Sequence, residues 1–339
     1  MSVSSIVRTG VEVRLASRPA DDMLREDTFE VVEVDVPDPD EGAILVRNEW
    51  MLLAAAMRDL VVETSNSDLP MPRFEIGRVP WALTVGTVEA TGSDAFAVGD
   101  LVYHRQGWRQ YATGPAAGFA ALERGLLPSS EYFLSQGPTA YRGMVEMARV
   151  GAGDTVFITS AAGGVGSLAG QIARACGAKK VIGSAGSADK VAWLTEELGF
   201  DAAFDRHDGR VFDHLREFAP DGVDVVFDNV GGPQLEDAIR ASAPRARLAL
   251  CGVLSQRDPM LPLGFAIRNE LEIRPFSTSY APATARAWQE RFGDWLRDGT
   301  ITFPYTAVRG GPGAAPEALR ELVAGRCRGQ VLVDLRPAE

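Results

Sequence analysis

The segment from Val156 to Cys176 constrains this chain more than any other. A short apolar run, Val156–Thr159, passes through Ser160-Ala161-Ala162-Gly163-Gly164-Val165-Gly166 into a stretch with Leu168, Ile172 and Cys176 at helical spacing. A strand that turns through several glycines straight into a helix opens a β-α-β unit. The alternation continues downstream. Val181–Ser184 reads as a strand and Lys190–Leu198 as a helix, with Val191, Leu194 and Leu198 on one face. Ala202–Asp205, Val223–Asn229, Arg247–Gly252 and Leu271–Phe276 read as further strands, with helices at Val211–Phe218 and Gln234–Ala241 between them. This rhythm predicts an α/β fold, a doubly wound Rossmann sheet of parallel strands covered on both faces by helices.

The first 115 or so residues have a different grain. Val11–Leu15, Phe29–Val34 and Ala43–Arg47 alternate or carry β-branched runs between Pro, Asp and Gly. Trp50–Val62 reads as a short helix, and strands are expected near Leu83–Ala90, Asp100–Tyr103 and Trp108–Ala112. Closely spaced strands of this kind suggest a small barrel or sandwich. A helix at Ala285–Leu296 would bury Trp288, Phe292 and Trp295. The tail then returns to β character at Ile301–Val308, forms a helix at Pro316–Ala324 and ends in a strand, Gln330–Leu335, able to pair back onto the first domain. The domains are expected at 1–128, completed by 305–339, and at 129–304.

Composition removes several function classes. Thirty-four basic against 46 acidic side chains give a net charge of −12, with no Lys/Arg run to make a nucleic-acid surface. Three well-separated cysteines, Cys176, Cys251 and Cys327, cannot form a disulfide framework and point to a reducing, cytoplasmic setting. No apolar leader stands at the N-terminus, and the longest uncharged run, Thr155–Ala173, is broken by Gly, Ser and Thr, so no membrane association is expected. Neither the three cysteines nor the three isolated histidines, His104, His207 and His214, supply a zinc ligand set, so no metal is expected.

The turn at Ala162-Gly163-Gly164-Val165-Gly166 has the chemistry of a pyrophosphate cradle. Gly163 lets the backbone approach the anion, Gly166 lets helix and strand pack closely, and the helix start offers free N–H groups at a positive dipole end. An NAD site wants an acid at the end of the second strand, about 20 residues on, to hold the ribose 2′-hydroxyl. Here Gly183-Ser184-Ala185-Gly186-Ser187 carries none, and Lys190 follows. Only three of the basic residues are lysines, Lys179, Lys180 and Lys190, so a lysine here is a pointed choice. NADPH is therefore the expected cofactor.

With these residues in view, the chain resembles the zinc-independent medium-chain dehydrogenase/reductases, in their leukotriene B4 dehydrogenase/prostaglandin reductase and plant double-bond reductase branch. The resemblance runs over nearly the whole chain. It rests on Leu15-Ala16-Ser17-Arg18-Pro19, Gly107-Trp108 with Tyr111, Thr139-Ala140-Tyr141, Ser160–Ser167 and Gly186–Val191. It rests also on Asp228-Asn229-Val230-Gly231-Gly232 and Cys251-Gly252-Val253-Leu254-Ser255-Gln256. It implies a GroES-like substrate domain built from both termini around the Rossmann domain, and commonly a homodimer. It further implies that Ala162–Val165 hold the pyrophosphate and Lys190 the 2′-phosphate. Asn229 and Cys251–Arg257 would line the adenosine and nicotinamide region, and Phe276–Thr278 would run beside the nicotinamide.

Four departures from the branch shape the expected chemistry. Its Asp-Pro-Tyr-Met-Arg stands here as Ala54-Ala55-Ala56-Met57-Arg58, which widens a pocket formed by Ala56, Met57, Arg58 and Trp108. Its Ser-x-Tyr phenol, a proton donor or carbonyl clamp, is replaced by Arg257. A tyrosine near the 2′-phosphate is Arg206, well suited to an anion. An asparagine near the C-terminus is Cys327, next to Arg328.

What the resemblance implies is hydride transfer to the C=C bond of an α,β-unsaturated carbonyl, an enone or 2-alkenal reductase. Negative charge then builds on the carbonyl oxygen. Arg257 could stabilise it but is a poor proton donor, which leaves Tyr141, Ser255 or water to protonate the α-carbon. A wide site suits a bulky substrate, and the Arg, Ala and Gly richness is that of a GC-rich bacterial genome, so bacterial secondary metabolism is the expected setting. A reductive cyclase of a polyketide or polyene natural product, as relatives act in polycyclic tetramate macrolactam assembly, is an alternative. A quinone reductase and a non-catalytic NADPH-binding protein are others.

Overall fold

The computed structural model describes residues 8–21, 23–63, 71–278 and 282–337. Residues 1–7, part of the stretch searched for a leader, lie outside them. The chain divides into two compact units. One comprises Met1–Leu134, Thr306–Arg326 and Val331–Glu339; the other comprises Ser135–Tyr305 and Cys327–Gln330.

The β-rich unit begins with β1 (Arg8–Leu15) and β2 (Phe29–Val36), an antiparallel pair in register from Arg8↔Val36 to Leu15↔Phe29. Then follow β3 (Ala43–Leu53), α1 (Met57–Val61), β4 (Thr84–Thr91), β5 (Leu101–His104), β6 (Tyr111–Pro115) and the short β7 (Ala120–Ala121). The helix expected from Trp50 is confined to α1. Trp50, Met51, Leu52 and Leu53 instead extend β3, where Trp50 pairs with Val85 and Met51 with Thr84. Sheet pairing outweighs the weak helical pattern there.

The second unit runs through α2 (Gly137–Tyr141), one π-helical turn at Arg142–Met147, β8 (Thr155–Ile158), α3 (Gly164–Ala175), β9 (Lys180–Ala185), α4 (Ala188–Glu196) and β10 (Ala202–Asp205). It continues with α5 (Val211–Phe218), β11 (Val223–Asp228), α6 (Gly232–Arg240), β12 (Ser242–Leu250), α7 (Leu263–Arg268), β13 (Glu272–Pro275) and α8 (Pro282–Arg297). Its six strands are all parallel, in the order β10-β9-β8-β11-β12-β13. That is the doubly wound order, in which the chain reverses direction between β8 and β11.

Neighbouring residues on a strand face opposite sides of the sheet. Val226 packs with Val211 and Leu215 of α5 and Leu235 and Ile239 of α6. On the other side the ring of Phe227 lies so close to Gly143 that a Cβ there would overlap it. Both faces are thus covered. In α8, Trp288 and Phe292 are buried as expected, whereas Trp295 is only half-buried.

The chain then forms β14 (Tyr305–Val308), α9 (Ala315–Val323) and β15 (Gln330–Asp334). β15 pairs antiparallel with β3, Val331 against Leu53 through Asp334 against Trp50. The boundaries differ from the expected 1–128, 129–304 and 305–339: the first break falls after Leu134, and the C-terminal stretch does not stay together. Residues 327–330 fold with the Rossmann unit, because Gly329 N–H donates to Ala162 O at 2.9 Å and Gln330 Nε2 to Gly164 O at 2.6 Å.

Candidate functional site

The turn after β8 is held from three sides. Ser160 takes a left-handed φ of 51°, Gly163 N–H donates to Ser160 O at 3.1 Å, and Ala161 N–H donates to Ser184 O of β9 at 2.9 Å. A Cβ on Gly166 would stand 2.7 Å from Ala161 Cα and closer still to Ser160 O, so glycine is required for α3 to start against the turn. A Cβ on Gly164 would meet the side-chain oxygens of Gln330, at 2.9 Å, and Gln136. At Gly163 the nearest atom would be Ser160 O at 3.3 Å, which leaves room toward solvent for an approaching anion. The amides of Gly164, Val165 and Gly166 open α3 and so have no acceptor within the helix. Ala162 through Gly166 could therefore hold a diphosphate on backbone N–H groups.

Opposite the turn, at the carboxyl end of β11, lies Asp228. Its carboxylate accepts the Thr159 hydroxyl at 2.7 Å and the backbone N–H groups of Gly231 at 2.7 Å and Val230 at 3.3 Å. Asn229 is tied to the same threonine: its N–H donates to Thr159 Oγ1 and its Nδ2 to Thr159 O, both at 2.8 Å. Desolvation raises the Asp228 pKa, against the lowering effect of those hydrogen bonds. Burial, reinforced by Asp228, pushes the Cys251 thiol up to about 12, so it is an unreactive packing group.

At the carboxyl end of β9 the side chains are cationic. The Arg206 guanidinium lies beside Gly186, where a Cβ would stand 3.4 Å from Nε. Lys190, in the first turn of α4, is held below its ordinary pKa by desolvation first; Cys327 acts the other way, and the charges of Arg328 and Arg206 lower it further. The sequence marks Lys190 and Arg206 for a 2′-phosphate but carries no signal at Arg328. The residue sits more than 100 positions away, with nothing local to link it to this turn.

The segment after β12 is a loop. Ser255 N–H donates to Val230 O at 2.9 Å, and its Oγ faces Gly232, 2.9 Å from where a Cβ would lie. Arg257 is exposed, and its backbone N–H donates to Ser255 Oγ at 3.3 Å. The Phe276 ring meets Phe227 edge-on at 6.1 Å, while Thr278 is exposed. Tyr141 ends α2 in another cluster, against Trp288 at 6.2 Å and Trp295 at 6.5 Å. Ser255 and Arg257 are thus neighbours.

In the β-rich unit, Ala56 is half-buried at the start of α1, and Arg58 is paired with Asp59 at 3.0 Å. Two residues expected to line a substrate pocket are packed inward. Met57 is buried, and Trp108, wholly inaccessible, stacks on Phe29 with ring centroids 4.9 Å apart. Their aromatic and thioether volume fills the core of that unit. Among the described residues no group of three or more His, Cys, Asp or Glu is arranged to hold a metal ion.

Two family models match: a zinc-binding dehydrogenase model over residues 164–295 and an oxidoreductase N-terminal domain model over residues 12–122. Prostaglandin reductase 1 of Bos taurus is 32% identical over 324 residues, 90% of this chain and 93% of that protein. The chain belongs to the zinc-independent medium-chain dehydrogenase/reductases, in their double-bond reductase branch. It is an oxidoreductase. The (+)-pulegone reductase of Mentha piperita is 31% identical, over 88% of this chain and 90% of that protein. CurA of Vibrio vulnificus, solved in complex with NADPH, superimposes with a TM-score of 0.87 at 27% identity, over 97% of this chain and 100% of that one.

Proposed function

We propose that this protein uses NADPH to reduce the C=C bond of a bulky α,β-unsaturated carbonyl compound in bacterial secondary metabolism. One observation carries the reading: the turn after β9 has no carboxylate between Gly183 and Ser187 and is faced by Lys190 and Arg206, which suits a 2′-phosphate. The named activities of prostaglandin reductase, pulegone reductase and the NADPH complex of CurA support the cofactor and the reaction class.

In this reading Ala162–Gly166 bind the diphosphate, Lys190 and Arg206 hold the 2′-phosphate, and Asn229, Cys251, Phe276 and Thr278 flank the nicotinamide end. NADPH held there would supply the hydride for the β-carbon. The exposed Arg257 guanidinium stabilises negative charge on the substrate's carbonyl oxygen. Because arginine stays protonated, the α-carbon takes its proton from Tyr141, Ser255 or water. The alanines at 54–56 leave volume for a large substrate at the start of α1.

The protein is also proposed to act as a cytoplasmic homodimer. No helix among the described residues is long and apolar enough to cross a membrane, and the three cysteines are free. β13 ends the six-stranded sheet, and the preceding segment exposes Met260, Leu263 and Ile267, which are 78%, 60% and 75% accessible. An edge strand beside exposed apolar side chains is a surface that pairing with a second copy would cover.

The test is incubation with 4R- or 4S-deuterated NADPH and a panel of enones, conjugated polyenes and quinones, read by mass spectrometry. Deuterium on the β-carbon of a large enone is the expected result. An added ring would make the enzyme a reductive cyclase, and oxidation by quinones alone would make it a quinone reductase. Tight binding with no transfer to any acceptor would overturn the enzymatic reading.

A further inference from the structure

The chain leaves the Rossmann unit after Tyr305, contributes Thr306–Arg326 to the β-rich unit, and returns for only four residues, Cys327–Gln330. This return is pinned along the diphosphate turn. Gly329 bridges Gly163 in parallel and donates to Ala162 O at 2.9 Å. Gln330 spans the start of α3: its Nε2 donates to Gly164 O at 2.6 Å, and its Oε1 accepts Gln136 N–H at 3.2 Å. Gly329 has a φ of 63°, and a Cβ there would overlap the backbone of Pro304. Only glycine permits this path.

The path fixes where Arg328 stands. Its guanidinium carbon lies 5.9 Å from the ring centroid of Trp193. Trp193 is three residues beyond Lys190 on α4, the spacing that puts two side chains on one helix face. Arg206 reaches the same region from the end of β10, beside Gly186. Three cations from three separate parts of the chain therefore meet at the end of β9. Gathered like charges repel one another, and the arrangement gains most when a dianion enters. A phosphomonoester carries a charge of roughly −1.5 to −2 at neutral pH and three acceptor oxygens.

We propose that Arg328 is a specificity-determining residue that, with Lys190 and Arg206, forms a three-cation receptor for the 2′-phosphate of the cofactor. Preference for NADPH over NADH then depends on the four-residue return of the chain as well as on the turn after β9. This inference rests on the reading that the cofactor lies along Ala162–Gly166.

The test is calorimetric titration of the full chain with NADPH, NADH, 2′,5′-ADP and 5′-AMP. Arg328→Gln should weaken NADPH and 2′,5′-ADP about tenfold, the loss of one charge-assisted contact, and leave NADH and 5′-AMP unchanged. Arg328→Lys should recover part of the loss. Equal weakening of all four ligands would overturn the inference by showing that Arg328 merely shapes the turn, and so would no change at all. A wild-type protein that binds NADH as tightly as NADPH would overturn the underlying cofactor reading instead. A thermal melt of Arg328→Gln without ligand separates both from misfolding, a single cooperative transition being the expected result.

Discussion

The Asp228 carboxylate accepts the Thr159 hydroxyl at 2.7 Å, joining the ends of two strands whose residues are 69 positions apart. That bond closes the point where the sheet reverses direction, and Asn229 is fastened to the same threonine. The glycine turn after β8 and the turn that carries Asn229 are thus set against each other by one buried carboxylate.

Replacing Asp228 should therefore be costly and pH-dependent. Asp228→Ala leaves buried donors unpaired and should cost about 1–3 kcal/mol in urea unfolding. Because desolvation raises the folded pKa above the ordinary 3.8, the folded state holds this proton more tightly than the unfolded chain. Its stabilising contribution is full below 3.8 and is lost as pH rises through the folded value. Asp228→Asn never ionises and should remove that fall from the stability curve. A wild-type minus variant difference that stays constant with pH would contradict the account.

The glycines of the turn should separate packing from binding. Gly166→Ala forces a methyl onto backbone atoms and should lose about 1–3 kcal/mol of stability. Gly163→Ala meets only Ser160, its O at 3.3 Å and its Oγ at 3.5 Å, so it should fold nearly normally. It should bind NADPH at least about tenfold more weakly, because the methyl stands where the diphosphate approaches. Comparing melting temperatures with NADPH titrations checks both halves.

Lys190 should impose an alkaline limit on cofactor binding. Desolvation, with the charges of Arg328 and Arg206, holds its ammonium below the ordinary 10.5 against the opposing effect of Cys327. Only the ammonium attracts a phosphate, so NADPH affinity should fall as pH rises through that lowered value, while NADH affinity stays level. Folding has the opposite sign: stability held back by the buried charge should be regained between the lowered value and 10.5. Lys190→Arg keeps its charge and should flatten the NADPH profile. An unchanged profile in that variant would assign the titration to another group.

Arg257 should affect turnover more than cofactor binding. Removing a group that stabilises a developing oxyanion typically costs about 100-fold or more in rate, so Arg257→Ala should lower kcat by that order with the KM for NADPH unchanged. Tyr141→Phe and Ser255→Ala, assayed for solvent-deuterium incorporation at the α-carbon, distinguish a side-chain proton donor from water.

The exposed segment before β13 should report on assembly. Ile267→Glu and Leu263→Glu place charges on an apolar surface, and sedimentation should show a dimer in the wild type and monomers in the variants. A monomeric wild type would remove this surface from consideration.

The sequence by itself determined the parallel sheet, the glycine turn and the cation at Lys190, because each is encoded over a few neighbouring residues. Strand and helix periods, a Gly-rich turn and the missing acid all act locally. The tertiary structure decided the rest. Trp50–Leu53 became strand because β4 and β15 pair with it, and Trp108 became core because Phe29 lies under its ring. Arg328 joined Lys190 because a distant four-residue return is pinned to the turn by Gly329 and Gln330. Contacts between residues far apart in the chain leave no periodicity in it, and only folding reveals them.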